Sequence, residues 1–325
     1  IEYLILITVF PPLLVCTTTP FLSGRTILRD LLGPIGGLVS SWGSIKLVQA
    51  VLDGEQPKLE FLQIAEGISI GFTVTPLGAL FGLVASVLWI FAGIYSVGYM
   101  RGNKEKSQTR FSTFYALAVH AALCIAYAGD LLTLFIFYEI LTFSTYPLVT
   151  HKQDELAQKA GRLYMSILFG SSVILLLPAI IWVWVITGSL EISQNGVLDG
   201  KIDPKYAPFL LMMFVFGIGK AALMPIHKWL PAAMVAPTPV SALLHAVAVV
   251  KAGVFTMLLV LTNVFGIEFL SKTGASFWLI GLASFTLLTT SVIAIYKDDI
   301  KARLAYSTIS QLSYITLGGA LASSL

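Results

Sequence analysis

The segment GIGKAALMPIHKWLPAAMVAPTPVSALLHAVAVVKAGVF, residues 217–255, decides how this chain folds. It continues a mostly apolar run that starts at Ala207 and is too long for one straight membrane crossing of about 20 residues. Four prolines follow in close succession: Pro225, Pro231, Pro237 and Pro239. Because each proline removes a backbone donor, we predict a helix that is broken within the membrane. Such breaks are tolerated only where the freed backbone groups meet protein or water, and they mark transport sites in many carriers.

The composition excludes a water-soluble domain. A soluble domain carries about 25% charged residues, whereas this chain of 325 residues has 11% charged and 57% hydrophobic residues. Apolar stretches of about 18 to 25 residues, each long enough to cross a hydrocarbon core of about 30 Å, recur along the whole chain. The sequence therefore predicts an all-α integral membrane protein that forms one helical unit.

We predict about ten transmembrane helices, of which the seventh is broken. The first is a kinked span rather than a signal peptide, because it contains Pro11 and Pro12 and lacks a basic start. The start at Ile1 and the end at Leu325 lead us to expect further residues at both ends. The predicted spans are Tyr3–Leu22, Leu31–Leu52, Thr75–Met100, Ser112–Ala128, Leu131–Val149, Leu163–Ile186, Ala207–Met224, Val240–Val264, Ala275–Tyr296 and Leu304–Leu321.

The distribution of basic residues predicts the orientation in the membrane. The even-numbered loops between these spans hold few of them: Lys58, Lys201, Lys205 and Lys272. The odd-numbered loops hold most: Arg25, Arg29, Arg101, Lys104, Lys106, Arg110, Lys152, Lys159, Arg162, Lys228, Lys297, Lys301 and Arg303. Since basic residues accumulate on the cytoplasmic side, we place the odd loops in the cytoplasm and the N-terminus outside, in the cell (inner) membrane.

A short stretch between the second and third spans has the period of a strand. Ile68, Ile70, Phe72 and Val74 alternate with small or polar residues, which is typical of a β-strand and not of a helix. We therefore predict a small external β-hairpin there.

Four acidic or basic residues other than histidine fall inside predicted spans, where a charge costs about 3 kcal/mol or more. They are Lys46, Glu139, Lys220 and Lys251. Glu139 lies about 13 Å into the fifth span, and Lys220 lies thirteen residues after Ala207, also deep and at the predicted break. Glu139 cannot reach water by extending along its helix, whereas we expect water to reach Lys220 at the broken helix. Such residues survive only if they are paired, hydrated or functional.

The eighth and tenth spans add further polar groups. His245 and Lys251 are six residues apart, about 9 Å along a regular helix and about 120° around it, so they could act as successive proton stations. Ser307, Gln311 and Tyr314 form one polar stripe on the tenth span, which could hold a file of water molecules.

Structural explanations compete with these functional ones. Glu139 and a lysine could form a buried structural ion pair, and His245 on its own could be an interhelical hydrogen-bond partner. Lys46, near the end of its span, is best explained by extension to the membrane surface, and His120 by a hydrogen bond. The segment around His227 is open to either explanation.

The sequence contains no motif for chemistry on a substrate. There is no glycine-rich phosphate loop, no nucleophile elbow and no Cys or His cluster with metal-ligand spacing. Cys16 and Cys124 lie in predicted helices, so we expect neither a disulfide nor a metal site, and no cofactor. A net charge of +3 without a basic patch argues against nucleic acid. Any enzyme chemistry would come from partner subunits.

Three stretches resemble a known family: AGDLLTLFIFYEILTFSTYPLV (residues 128–149), GIGKAALMPIHKWLPAAMVAPTPVSALLHAVAVVKAGVF (217–255) and KDDIKARLAYSTISQLSYI (297–315). They are similar to the antiporter-like subunits of respiratory complex I, Mrp-type cation/proton antiporters and membrane-bound hydrogenases. The run YEILTFSTYPLV and the following KAGRLY are most similar to the D subunit of Mrp antiporters and to its hydrogenase relatives.

The resemblance implies roles for the buried residues. Glu139 matches the family's fifth-helix glutamate and Lys220 its seventh-helix lysine, which form a pair, and His245 and Lys251 match the eighth-helix relay. It implies that moving the carboxylate away from the lysine pushes the lysine proton onward. The family has about fourteen helices in two inverted five-helix repeats. By this comparison residues 1–110 hold helices 1–3 and the hairpin, 111–264 the complete first repeat (helices 4–8), and 265–325 the start of a truncated second repeat (helices 9–10).

These observations predict a proton-translocating subunit of a larger membrane complex. Glu139 would be the carboxylate that modulates the lysine, and Lys220 would be the central proton carrier. His245 and Lys251 would relay the proton onward. The expected partners are the lipid bilayer, H⁺, and other subunits of a complex I-like, hydrogenase-like or Mrp complex, in which redox partners would make it the pumping subunit of a translocase. One alternative is an Mrp-type Na⁺/H⁺ or K⁺/H⁺ exchanger subunit without redox chemistry. The other is an assembly scaffold that does not transport.

Overall fold

A computed structural model describes residues 2–65, 67–192 and 196–322, and it is built almost entirely of helices. We number the helices in chain order, with one label for each predicted span. They are α1 (Glu2–Thr18), α2 (Thr26–Leu52), α3 (Pro76–Gly102), α4 (Gln108–Ala126), α5 (Leu131–Val149), α6 (Glu155–Thr187), α7 (Ala207–Gly217), α8 (Thr238–Thr273), α9 (Phe277–Ile295) and α10 (Ile300–Ala322). The prediction of an all-α membrane protein is confirmed.

The number of helices that can cross a membrane alone is smaller than predicted. Within the described residues, eight helices are long and apolar enough, counting α1 together with the turn that extends it to Leu22. Of the two remaining helices, α7 is apolar but shorter. The other, α10, is long enough to cross a membrane but carries more polar residues. Each predicted span nevertheless coincides with a helix.

The predicted β-hairpin is present between α2 and α3. Strand β1 (Lys58–Ala65) pairs with strand β2 (Ile68–Thr73) in antiparallel register. The hairpin is attached to the start of α5: the amide of Gly129 donates to Gly71 O (3.0 Å), and the amide of Gly71 donates to Thr133 Oγ1 (3.1 Å). It therefore covers the end of the bundle at which α5 begins.

The seventh span is broken, as the prolines predicted, but the break begins before them. Helix α7 ends at Gly217, because Ile218 has ψ of 64° and leaves the helical region. A single 3-10 turn, Gly219–Ala221, follows, and Ala222 then takes a φ of +56°, which is unusual for a residue with a side chain. Short helical turns carry the chain through Pro225 to Val235. Lys220 thus lies in the interruption itself.

Two of the long helices contain π-helical turns that the sequence did not reveal. Helix α6 widens at Ser172–Leu176, beside α7, and α8 widens at Leu243–Val247 and again at Val260–Gly266. Such wide turns occur frequently at functional sites. The first π turn of α8 holds His245.

The helices pack as an N-terminal group, α1–α4, and a second group around the break. Helices α5, α6 and α8 surround the interruption after α7, while α9 and α10 pair with each other and contact this second group. The division into two inverted repeats stays a prediction, since the arrangement of one group against the other does not test it.

Candidate functional site

Lys220 is the centre of the candidate site. Its side chain has no solvent exposure. The ammonium Nζ donates to the backbone oxygen of Tyr138 (2.9 Å) and to Thr142 Oγ1 (2.7 Å), and it lies 3.2 Å from the centroid of the Tyr138 ring. One turn of α5 therefore supplies two oxygens and an aromatic face, which are the groups that stabilise a buried cation.

The main chain around Lys220 is fixed by hydrogen bonds that replace helical ones. The amide of Lys220 donates to Tyr138 Oη (3.2 Å), and Trp229 Nε1 donates to Gly219 O (3.0 Å). Tyr138 and Trp229 are both fully buried. Since an unpaired buried backbone group is costly, these two side chains are what make an open turn tolerable inside the protein.

Three glycines let the neighbouring helices approach the break closely. A Cβ on Gly217 would lie 2.5 Å from the backbone nitrogen of Leu176, in the π turn of α6, and one on Gly219 would lie 2.6 Å from Ser171 Oγ. On α8, a Cβ on Gly253 would overlap the carbonyl group of Lys220. The turn that carries Lys220 is therefore held between α6 and α8 at distances that only glycine permits.

Glu139 is buried next to this cradle but does not form an ion pair with the lysine. Its side chain is 9% exposed, and both carboxyl oxygens are buried without a hydrogen-bond partner among the described residues. No Glu139 oxygen lies within the 4.0 Å limit of an ion pair from Nζ of Lys220. The structural ion pair considered from the sequence is thus not formed in this structure.

His245 bridges the first π turn of α8 to α10. Its Nδ1 lies 2.9 Å from Thr308 Oγ1, and its Nε2 lies 3.2 Å from Met234 Sδ. A thioether can only accept, so Nε2 carries a proton, and in the neutral ring Nδ1 accepts from the Thr308 hydroxyl. The ring is therefore oriented with a proton acceptor facing α10.

The predicted spacing of His245 and Lys251 assumed a regular helix, whereas α8 is irregular between these two residues. The π turn ends at Val247, and Ala248 has the non-helical angles φ −125° and ψ −66°. Lys251 is half-buried and forms no ion pair with any described residue. The structure places both residues on α8 but shows no contact between them.

The polar stripe of α10 lies on an exposed face. Ser307, Gln311 and Tyr314 share one side of the helix, as predicted, but that side points away from the other described helices, and Tyr314 is 64% exposed. The polar residues of α10 that face inward are instead Ser310, Ser313 and Thr316, which are buried. Thr308 also faces inward, because its hydroxyl contacts His245. A water path along the predicted stripe stays a prediction that needs a further element to cover it.

Two of the other ionisable residues have structural explanations. Lys46 is exposed and donates to Gln49 Oε1 (3.0 Å), and His120 Nδ1 lies 2.8 Å from Val9 O of α1. His227 is buried with Nδ1 unpartnered among the described residues, and its ring lies 6.4 Å from that of Tyr306. Outside the spans, burial lowers the pKa of His151, and the nearby Arg110 lowers it further.

Sequence reasoning missed four contributors to the site: Tyr138, Thr142, Thr308 and Met234. A signal existed for the first two, since Tyr138 and Thr142 are four residues apart and share a face of α5. No comparable signal exists for Thr308, because its contact with His245 depends on how α8 and α10 pack.

The fold and the site define a class of protein: a multi-pass membrane protein with ionisable side chains buried around an interrupted helix. The chain belongs to the family described as NADH:quinone oxidoreductase/Mrp antiporter, TM, which matches residues 128–324. The resemblance to antiporter-like subunits is confirmed.

Curated relatives are bacterial proteins that are named as antiporter subunits. The chain is 31% identical over 261 residues to an antiporter subunit mnhA2 of Staphylococcus haemolyticus, covering 78% of this chain and 32% of the relative. It is also 31% identical over 241 residues to a protein of Rhizobium meliloti named as a probable K(+)/H(+) antiporter subunit, covering 73% of this chain and 23% of that one. The chain thus spans about a third or less of these relatives. Neither relative is named as a D subunit, so the similarity to the D subunit stays a prediction.

Two solved structures share the fold. A chain of the membrane-bound sulfane sulfur reductase, an archaeal respiratory membrane complex, superposes with a TM-score of 0.85 at 23% identity, covering 98% of this chain and 65% of that chain. A chain of the Mrp complex from Dietzia sp. DQ12-45-1b superposes with a TM-score of 0.81 at 24% identity, covering 98% and 34%.

Proposed function

We propose that this chain is a proton-translocating antiporter-like subunit of a multisubunit membrane complex. The observation that carries the proposal is the environment of Lys220: a fully buried ammonium group at a helix interruption, held by uncharged groups of α5 and by no carboxylate of the described residues. A structural lysine at this depth would be expected to have a close counter-ion. A lysine that alternates between charged and neutral needs an environment that tolerates both states.

The proposed step couples Lys220 to Glu139. An ionised Glu139 favours the protonated lysine, whereas a neutral or displaced carboxyl group removes this attraction and lets the proton leave. The His245 ring is the first acceptor on α8, and Lys251 is the next group along the same helix. Hydrogen-bond partners of Lys220 at 2.7 and 2.9 Å keep the ammonium group in place until transfer.

A second candidate function is the exchange of Na⁺ or K⁺ for protons. The observation that favours it is the similarity to relatives whose names are antiporter subunits, including one named for K⁺ and H⁺. The partner subunits separate the two functions: redox-active partners would make this chain part of a pump, and hydrophobic partners alone would make it part of an exchanger.

The test is charge-neutral replacement in the complete protein with its partner subunits, reconstituted in vesicles. We expect Lys220→Ala and Glu139→Gln to lower ion-driven pH changes at least tenfold. Lys46→Ala is the matched control, because it also removes a lysine from a membrane helix but leaves the site untouched. If both site variants transport normally in an assembled complex, the proposal fails and the chain is an assembly scaffold.

A further inference from the structure

His151 is a buried histidine on the connection between α5 and α6, outside the membrane helices. It follows the end of α5 at Val149 and precedes the start of α6 at Glu155. The residue is 6% exposed, and its ring lies edge-on to that of Phe111 in the first turn of α4, with centroids 5.8 Å apart. The α5–α6 loop is therefore docked on α4 through a titratable side chain, for which the proposed transport step has no role.

Arg110 holds the same loop from the same turn of α4. Its Nη2 donates to the backbone oxygen of His151 (3.0 Å), whereas its Nε is buried without a hydrogen-bond partner among the described residues. The guanidinium group is thus fixed beside the loop, with its positive charge close to the imidazole. Docking brings together a cation and a group that can itself become a cation.

The surroundings of His151 favour the neutral imidazole. Its Nδ1 is buried and has no hydrogen-bond partner within the described part of the chain. Because an imidazolium carries a proton on both ring nitrogens, protonation would bury a charged donor that has no acceptor. From the connection between α3 and α4, Glu105 and the backbone oxygen of Lys106 raise the pKa of His151, but burial and Arg110 outweigh them, so that the pKa lies below its ordinary value of 6.5.

This difference makes the docking of the loop depend on pH. In an undocked loop the His151 side chain is in water and has its ordinary pKa of 6.5. The undocked state therefore binds more protons than the docked state, and it is favoured as the pH falls. Docking is at full strength above about pH 6.5, and it weakens between that value and the lower pKa of the docked state.

The loop is connected to the cradle of the central lysine by both helices that it joins. Thr142, which accepts from the lysine, precedes His151 by nine residues, or about 13 Å along α5. Pro147 lies between them and removes a backbone hydrogen bond at a point where the helix can bend. A Cβ on Gly161 would lie 2.3 Å from Thr150 Cγ2, so α6 is packed tightly against this end of α5. A displacement of the loop would move both helices.

We propose that His151 is a pH sensor on the side of the membrane that carries the basic loops. When it takes up a proton, the α5–α6 loop leaves Arg110 and Phe111, and transport slows. The release of the loop stands apart from the transport proposal, whereas the effect on transport rests on the proposed function. Since the loop lies outside the membrane helices, the sensor reads the pH of one aqueous phase.

Two substitutions separate the charge of His151 from its other properties. His151→Gln keeps a polar side chain that cannot take up a proton, so the loop should stay docked at every pH. His151→Lys places a permanent positive charge beside Arg110, since an unperturbed lysine has a pKa near 10.4, and it should imitate the protonated ring. His120→Gln is the matched control, because His120 also belongs to the region of α4 but contacts Val9 O of α1 and not the loop.

The first measurement is the distance between spin labels on the two connections, by double electron–electron resonance in the complete protein with its partner subunits. The labels are attached at Gly102→Cys, where the surroundings of a Cβ are open, and at Glu155→Cys, where the side chain is exposed, with Cys16 and Cys124 replaced by serine. The distance should be longer and more broadly distributed at pH 5.5 than at pH 7.5. It should stay short at both values in His151→Gln.

The second measurement is the ion-driven pH change in vesicles that start with the same buffer on both sides. Each pH unit below the ordinary pKa can weaken docking at most about tenfold. We therefore expect transport by the unaltered protein to fall about fivefold between pH 7.5 and pH 5.5, and transport by His151→Gln to fall less than about twofold. His151→Lys should be slow at both values, and His120→Gln should follow the unaltered protein.

Three results would overturn the proposal. One is a label distance that is the same at both pH values in the protein with native His151, a comparison that needs no His151 variant to fold. Another is a pH-dependent distance that persists in His151→Gln. The third is a distance that responds while the unaltered and His151→Gln proteins share one pH profile of transport. If Lys220→Ala transports normally, the proposed function fails, but the label distance still decides whether His151 releases the loop.

Discussion

At the scale of single residues, the unusual feature is a lysine whose nearest partners are neutral. Hydrogen bonds to a charged group contribute about 1.5–3 kcal/mol each, so Thr142 Oγ1 and the Tyr138 backbone oxygen together offset part of the cost of burying the ammonium group. Only the first of these can be removed by mutation. Thr142 is therefore the most direct probe of how the cradle holds Lys220.

We expect Thr142→Val to lower ion-driven pH changes in vesicles about tenfold while the complex still assembles. Valine keeps the shape of threonine but lacks the hydroxyl that accepts from Nζ at 2.7 Å. Thr256→Val is the control, since among the residues that the structure describes the Thr256 hydroxyl bonds to Ala252 O of its own helix and not to Lys220. Equal transport rates in the two variants would mean that the contact with Nζ has no part in transport.

At the scale of helices, the structure shows how an interruption is accommodated. The π turn of α6 and Gly253 of α8 both pack against the break after α7, so the shapes of the three helices are complementary there. Proline predicted the interruption because its effect is local to the backbone. The π turns left no trace in the sequence, since an extra residue in a turn is stabilised by contacts with neighbouring helices and not by residue type.

The close contact between α8 and the Lys220 turn gives a second prediction. Gly253→Ala should displace the turn, because the added Cβ would overlap the Lys220 carbonyl group. Overpacking of this kind costs about 1–3 kcal/mol, so the thermal unfolding midpoint should fall and transport should be lost. Gly281→Ala on α9 is the control, as its surroundings are open. A Gly253→Ala protein as stable and active as the control would show that the turn is free to move.

At the scale of the whole molecule, the sequence predicts which polar residues are buried more reliably than it predicts which residues contact each other. Glu139, Lys220 and His245 could be selected because a charged or polar group in an apolar run is conspicuous. The partners of His245 could not, because Thr308 is 63 residues away along the chain and Met234 meets the ring only through the irregular turns that precede α8. The direction in which the polar face of α10 points could not be predicted for the same reason. Sequence periodicity defines which residues share a face, but the packing of the helices decides whether that face is buried or exposed.

The orientation of the whole chain is the remaining prediction from the sequence, and it can be tested directly. The basic loop between α3 and α4 contains Lys104, and the loop between α6 and α7 contains Lys201, both exposed. With Cys16 and Cys124 replaced by serine, a membrane-impermeant maleimide added to intact cells should label Lys201→Cys and leave Lys104→Cys unlabelled until the cells are opened. The reason is that basic loops are retained in the cytoplasm during insertion. The opposite pattern would reverse the predicted orientation and place the N-terminus in the cytoplasm.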